Sequence, residues 1–162
     1  MPTESDEPHI LPMVPPRGLL ESIVAEVQTQ RHDSATAATR PCTVIIDVAD
    51  RHVLQVDPAA IRTILTVLLA NALDNADRTP PSEMPVAHEV VITSIEYGAA
   101  IEIEIADSGP HCTPAAAGST LEPAIRQLLD QVGGQLTAAA CPEGGRALTL
   151  RLPHRRLRRL AA

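Results

Sequence analysis

The sequence predicts a two-layer α/β sandwich, in which a mixed, largely antiparallel sheet of about five strands carries about three helices on one face. Three observations predict this arrangement. Three segments place apolar residues at helical spacing, residues 89–107 have the pattern of a β-hairpin, and two short strands surround a glycine-rich turn near the C-terminus. A helix with one apolar face must bury that face against another element, so we expect the helices to cover the sheet.

The N-terminal half is expected to contribute two helices and two strands. The first helix is predicted over Leu19–Gln30, and the strands over Thr43–Val48 and Val53–Val56. The second helix, Pro58–Ala76, follows Asp57 and begins with a proline, whose missing N–H is harmless at the first helical position. Its apolar residues form one continuous stripe: Ile61, Ile64, Leu65, Leu68, Leu69, Ala72 and Leu73.

Two amides stand beside this stripe near the end of the second helix. Asn71 and Asn75 are one turn apart and therefore share a face. An amide in this position can ligate a hard cation or take part in a hydrogen bond. Two amides one turn apart are more than a solvated helix surface needs, which indicates a binding or structural role.

The C-terminal half is expected to contribute a hairpin, a helix and two strands. Alternation of Ile and Glu in the second hairpin strand predicts one buried and one solvated face. Tyr97-Gly98-Ala99 forms the hairpin turn, and Gly133-Gly134 ends the helix. The predicted elements are the strands Glu89–Glu96 and Ala100–Ala106, the helix Leu121–Val132, and the strands Gln135–Ala140 and Arg146–Pro153.

Composition indicates one compact domain with an aliphatic core. The chain has 162 residues, 44% of them hydrophobic, with no Phe, no Trp and Tyr97 as its single aromatic residue. No segment approaches the ~20 apolar residues that span a bilayer, and the acidic, proline-rich start lacks signal-peptide features. We therefore expect a cytoplasmic protein without a transmembrane segment. Its expected organisation is a disordered lead-in at 1–17, a folded domain at 18–153 and a basic tail at 154–162.

Charge and cysteine usage exclude several classes of function. The net charge of −7 argues against nucleic-acid binding. Cys42, Cys112 and Cys141 have neither paired nor metal-type spacing, so reduced thiols are expected and a zinc site is not. The basic tail is either a solvated end or a contact for an acidic partner or a lipid surface.

Three parts of the sequence resemble the histidine-kinase-type ATPase domains. They are the second helix, the hairpin with the Asp107-Ser108-Gly109 that follows it, and the C-terminal strands. DNA gyrase and MutL share this superfamily, and the resemblance covers residues 18–153. The helix resembles the family's N box, in which an Asn binds the magnesium of Mg-ATP. Without a gap this Asn falls on Asn71. With a one-turn insertion it falls on Asn75, and both frames remain open.

Asp107-Ser108-Gly109 resembles the family's G1 box. The resemblance implies that Asp107 accepts a hydrogen bond from the adenine amino group, and that Gly109 lets the backbone approach the base. It also implies an ATP site between the helix layer and the sheet, with Asn71 as the magnesium ligand. The expected nucleotide-contacting residues are Asn71, Asn75, Asp107, Gly109, Gly118, Leu121 and Thr149.

Several positions depart from the family's pattern. Gly118–Pro123 keeps one of the three glycines of the phosphate-wrapping G2 box, and Glu122 introduces a negative charge there. The segment between His111 and Gly118 is much shorter than the usual ATP lid. Asp74 occupies the N-box Lys position, and Val67 replaces the water-activating Glu of the gyrase and MutL branches. The residues that would bind adenine are therefore expected to be retained, whereas those that would bind the phosphates are expected to be largely lost.

The resemblance implies two functions, and whether the protein is an enzyme stays open. The favoured one is a degenerate, stand-alone pseudokinase domain with weak or lost ATP binding. It acts as a binding or regulatory module in bacterial signal transduction, docking a histidine kinase, a response regulator or a sigma-factor-type regulator. The alternative is an active Mg-ATP-binding kinase domain, of the histidine-kinase or anti-sigma type, that phosphorylates a partner protein. A chance resemblance in an unrelated α/β sandwich is the third and least favoured interpretation.

The sequence does not provide a phosphoacceptor of its own. His32 follows the first helix near its end, beside Asp33 and Ser34, rather than lying in the middle of an exposed helix. We therefore do not expect the chain to autophosphorylate by the family's usual scheme. Its oligomeric state does not follow from the sequence.

Overall fold

The structure is a computed structural model that describes residues 11–34, 41–78, 88–110, 123–142 and 144–154. Within these ranges, no helix is long and apolar enough to cross a membrane. In chain order the elements are β1 (Met13–Val14), α1 (Pro16–Asp33), β2 (Thr43–Asp47), β3 (Leu54–Gln55), α2 (Pro58–Asp77), β4 (Glu89–Tyr97), β5 (Ala100–Asp107), α3 (Pro123–Gln131), β6 (Gln135–Ala140) and β7 (Arg146–Pro153).

Five of the strands form one mixed sheet in the order β2-β4-β5-β7-β6. β2 pairs with β4 in parallel, and the other three neighbouring pairs are antiparallel. β1 and β3 form a separate two-stranded antiparallel sheet. The predicted α/β sandwich with a largely antiparallel sheet is confirmed.

The core lies between the helices and the inner face of the sheet. The predicted stripe of α2 is buried along its whole length, from Ile61 to Leu73. On β5, alternate residues from Ile101 to Ile105 point into this core, whereas Glu102 and Glu104 pair with polar residues on the outer face. The core of the described residues is aliphatic, as the composition predicted.

Polar contacts mark both ends of α2. At the start, the Asp57 side chain accepts a hydrogen bond from the Ala59 backbone N–H at 3.0 Å, as an N-cap does. At the end, Arg31 of α1 donates to Asp74 and Asp77. The Arg31 contacts hold the last turns of α2, which carry both candidate amides, against α1.

The fold begins earlier in the chain than the sequence analysis indicated. β1 and the first residues of α1 lie within the segment 1–17 that we assigned to a disordered lead-in. A two-residue strand has no periodicity of its own, and β1 is defined by its pairing with Leu54–Gln55, forty residues away in the chain. Residues 1–10 and 155–162 are outside the described ranges, so the lead-in there and the basic tail stay predictions.

Candidate functional site

Three elements meet at Asp107, the last residue of β5. The end of α2 lies on one side of this carboxylate, the first residue of β7 on another, and Gly109 follows it in the chain. Asp107 is in phase with the buried Ile residues of β5, and its side chain is 0% exposed. A carboxylate removed from water in this way is stable only where donors or positive charge surround it.

Both carboxylate oxygens of Asp107 have donors. Oδ1 accepts a hydrogen bond from Asn75 Nδ2 at 2.7 Å and another from the Gly109 backbone N–H at 3.0 Å. Oδ2 accepts from Arg146 Nε at 3.2 Å, which is also an ion pair. Arg146 donates in addition to the Asn71 backbone carbonyl at 2.9 Å. The Asp107 cluster, which we define as Asp107, Asn75, Gly109 and Arg146, thus joins α2, β5 and β7.

Two glycines permit this close packing. A Cβ on Gly109 would lie 2.5 Å from the backbone oxygen of Asn75. Gly145 has a φ of +81°, and a Cβ there would overlap the backbone oxygen of Asp107. Because glycine carries no Cβ, α2 and β7 approach the end of β5 more closely than any other residue type would allow.

The structure brings together several of the residues predicted from the sequence. Asn75, Asp107 and Gly109 are in direct contact, and Asn71 joins them through its backbone carbonyl while its side chain is half-buried. Gly118 and Leu121 lie outside the described residues.

The expectation for Thr149 needs correction. The residues of β7 that face the core are Arg146, Leu148, Leu150 and Leu152. Because successive strand residues point to opposite faces, Thr149 faces outward, where its hydroxyl lies 3.4 Å from Glu104 Oε2. We therefore remove Thr149 from the candidate site.

Arg146 is the site residue that the sequence analysis missed. From the sequence, Arg146 was predicted only as the first residue of the last strand. A usable signal existed, because Arg146 is in phase with Leu148 and Leu150, so the two-residue period places it on the buried face. A buried arginine requires an acidic partner, and the register of β7 with β5 places Asp107 directly opposite.

This arrangement does not fit an adenine nucleotide as it stands. Reading an adenine amino group requires an accessible lone pair on Asp107, but Asn75 and Arg146 cover its two oxygens and the side chain is 0% exposed. Asn75 is poorly placed for a cation, because the residue is 8% exposed and its Nδ2 donates to Asp107, whereas the side chain of Asn71, the other candidate ligand, is half-buried. In the described part of the chain, no group of three His, Cys, Asp or Glu side chains is placed to hold a metal ion.

A surface pocket of about 240 Å³ lies at the other end of the sheet. From Ala100 at that end of β5 to Asp107 there are seven residue steps, or about 24 Å at the rise of a strand. None of the predicted site residues that the structure describes lines this pocket. Its lining residues are Ala99, Ala100, Gly133, Gln135, Arg151 and Pro153.

Comparison with known proteins identifies one curated relative. The chain is 30% identical over 169 residues to the sensor protein TorS of Escherichia coli (strain K12). The match covers 93% of this chain but only 16% of TorS, so the chain corresponds to a small part of that relative. No protein-family model matches the chain.

Solved structures of histidine kinases share this architecture. The histidine kinase ThkA, in complex with the response regulator protein TrrA, matches with a TM-score of 0.69 at 14% identity, over 89% of this chain and 42% of that one. Full-length ShkA, in complex with AMPPNP, matches with a TM-score of 0.65 at 19% identity, over 88% of this chain and 31% of that one. The resemblance predicted from the sequence motifs is therefore confirmed, and this chain has the fold of the histidine-kinase catalytic domains.

Proposed function

We propose that this chain is a degenerate histidine-kinase-like domain that acts as a binding or regulatory module in bacterial two-component signalling. In this proposal its own side chains occupy the position where a nucleotide base would bind. The supporting observation is the Asp107 carboxylate, which is fully buried and accepts hydrogen bonds from Asn75, Gly109 and Arg146. A base can reach this carboxylate only by displacing Asn75 or Arg146.

The energetic balance disfavours that displacement. A neutral hydrogen bond from an adenine amino group contributes about 0.5–1.5 kcal/mol net. Separating Arg146 from a buried carboxylate removes one partner of a buried ion pair, which costs about 3–5 kcal/mol. A difference of about 3 kcal/mol lowers adenine affinity by a factor of roughly 100, since each 1.4 kcal/mol is tenfold.

The charge pattern at the end of α2 supports the same conclusion. The resemblance places a Lys at position 74, whereas this chain has Asp74, which is paired with Arg31 of α1. Asp77 shares the same arginine. This end of α2 therefore offers carboxylates, already balanced by Arg31, where a polyphosphate needs a free cation.

We propose that the partner is a protein of the signalling pathway. The complex of ThkA with the response regulator TrrA supports a response regulator in this role. A histidine kinase or a sigma-factor-type regulator fits the same proposal. The net charge of −7 supports a protein partner rather than a nucleic acid, and we propose the cytoplasm as the location.

The second candidate function is an active Mg-ATP-binding kinase domain that phosphorylates a partner. Two observations favour it: Asp107 and Gly109 still lie together at the end of β5, and the similar protein ShkA was solved with AMPPNP. In this case Arg146 would leave Asp107 when the nucleotide binds. ATP would supply the phosphoryl group, and the role left to these residues is to hold the base.

Calorimetric titration with ADP and with AMPPNP, each with and without magnesium, separates the two functions. We expect no binding by the wild type at millimolar nucleotide, and measurable ADP binding by Arg146→Ala, because Oδ2 of Asp107 loses its donor. Arg151→Ala, which removes an arginine from the outer face of the same strand, is the matched control and should not bind. Magnesium-dependent binding by the wild type that is lost in a folded Asp107→Asn variant would refute the closed site and favour the Mg-ATP-binding alternative instead.

A further inference from the structure

A second buried polar group lies in the connection between β2 and β3, away from the Asp107 cluster. His52 is 2% exposed, and its Nδ1 lies 2.8 Å from Ser94 Oγ on β4. The same hydroxyl accepts a hydrogen bond from the Ala49 backbone N–H at 3.2 Å. The other ring nitrogen, Nε2, is buried and has no hydrogen-bond partner among the residues that the structure describes.

The segment that carries His52 contacts both ends of the folded region. β3 follows directly and pairs with β1, with Val14 opposite Leu54. His154, which follows β7, has its Nδ1 3.1 Å from the Val53 carbonyl oxygen, and its backbone N–H donates to Ala99. We call residues 49–55 together with β1 and His154 the terminal junction. Its attachment to the sheet includes the contact between His52 and Ser94.

The charges around His52 disfavour its protonation. Arg51 on the same turn and His154 beyond β7 lower the pKa of His52. Glu96 on β4 raises this pKa, but its effect is smaller than that of burial or of Arg51. Asp50, also on this turn, pairs with Arg17 of α1 at 3.4 Å. Burial is the main cause that lowers the pKa of His52 below its ordinary value.

The direction of the pH effect follows from this lowered pKa. The neutral ring is the form that the folded state accommodates, so its full contribution to stability is present above the unfolded pKa of about 6.5. That contribution is lost as the pH falls from there through the lower pKa of the folded state. Acid therefore weakens the terminal junction.

We propose that His52 is an acid-sensitive latch, whose protonation detaches β1 and β3 from the rest of the domain and uncovers the apolar surface beneath them. A protonated ring carries N–H groups on both nitrogens. Nδ1–H can donate to Ser94 Oγ, but Nε2–H is then charged and buried, and the described part of the chain offers it no acceptor. Opening of the junction lets water reach Nε2, and it exposes Val14 and Leu54, which are 8% and 0% exposed when the latch is closed.

Hydrogen exchange of the full chain at pH 7.5 and pH 5.0, corrected for the intrinsic chemical rates, tests this proposal. We expect protection of peptides from residues 11–16 and 49–56 to be lower at pH 5.0 than at pH 7.5, while peptides from α2 keep their protection. His52→Asn places an amide near Nδ1 and does not titrate, so it should abolish this pH dependence. His32→Asn, a change of an exposed histidine on α1, should leave it intact.

Two results would overturn the latch. One is an unchanged pH dependence in His52→Asn, and the other is a loss of protection that spreads equally over α2, which would indicate global unfolding. If His52→Asn does not fold, NMR titration of the wild-type imidazole decides. A midpoint below 6.5 that coincides with shifts of the β1 amides supports the proposal, whereas a midpoint at or above 6.5, or β1 amides that do not follow it, refutes it.

Discussion

Replacing Arg146 with alanine should destabilise the domain by about 3 kcal/mol. Removing one member of a buried ion pair costs about 3–5 kcal/mol, because the other charge is left buried and unpaired. Arg146 and Asp107 have side chains that are 10% and 0% exposed, so solvent screens this pair little. Asp107 keeps its hydrogen bonds from Asn75 and Gly109, which places the expected cost at the lower end of that range.

The same pair of strands supplies a matched control. Arg151 and Glu102 are also register partners on β7 and β5, and their side chains form an ion pair at 3.2 Å. These side chains are 47% and 27% exposed, and exposed ion pairs contribute about 0–1 kcal/mol. Arg151→Ala should therefore cost less than about 1 kcal/mol, although the residue type, the strands and the pairing are the same.

Chemical denaturation by urea, followed by far-UV circular dichroism, measures both changes. For a domain of this size, about 3 kcal/mol also lowers the melting temperature by about 6–12 °C. A double-mutant cycle of Arg146→Ala with Asp107→Asn should return a coupling free energy above about 1.5 kcal/mol. Equal losses for Arg146→Ala and Arg151→Ala would refute the burial of the Asp107–Arg146 pair, and with it our account of the closed site.

Two further predictions concern the packing at Gly109 and the reactivity of Cys42. Gly109→Ala should lower the free energy of unfolding, measured by urea titration, by more than about 2 kcal/mol, because its Cβ would meet the backbone of Asn75. Gly18→Ala in α1 places its Cβ in open space and should raise that free energy by about 0.5–1 kcal/mol. Equal effects of the two changes would contradict the packing. Burial raises the pKa of the Cys42 thiol to about 11, so that at pH 8 about one thiol in a thousand is ionised. Iodoacetamide should therefore alkylate Cys42 at least a hundredfold more slowly in the native protein than in the unfolded chain. Mass spectrometry measures both rates, and similar rates would contradict this burial.

Much of the fold was predictable because its signals are local and repeated. The apolar stripe of α2 recurs over more than three turns, and the bounds of β6 and β7 agree with the sequence prediction. The pairing of β1 with β3 was not predictable, because two residues carry no period and their partner is distant in the chain. Asp107 and Gly109 were identified because they belong to one contiguous motif after a clear strand.

The sequence by itself determined which faces of α2 and β5 are buried, and which residue types stand at the end of β5. It did not determine what those residues contact, because the two-residue period of a strand specifies a face but not a neighbour. Only the strand register placed Arg146 opposite Asp107, and only the packing of α2 on the sheet brought Asn75 onto the same carboxylate. These two contacts, from Arg146 and from Asn75, decide whether Asp107 is open to a ligand or satisfied within the protein, and the tertiary structure determines both.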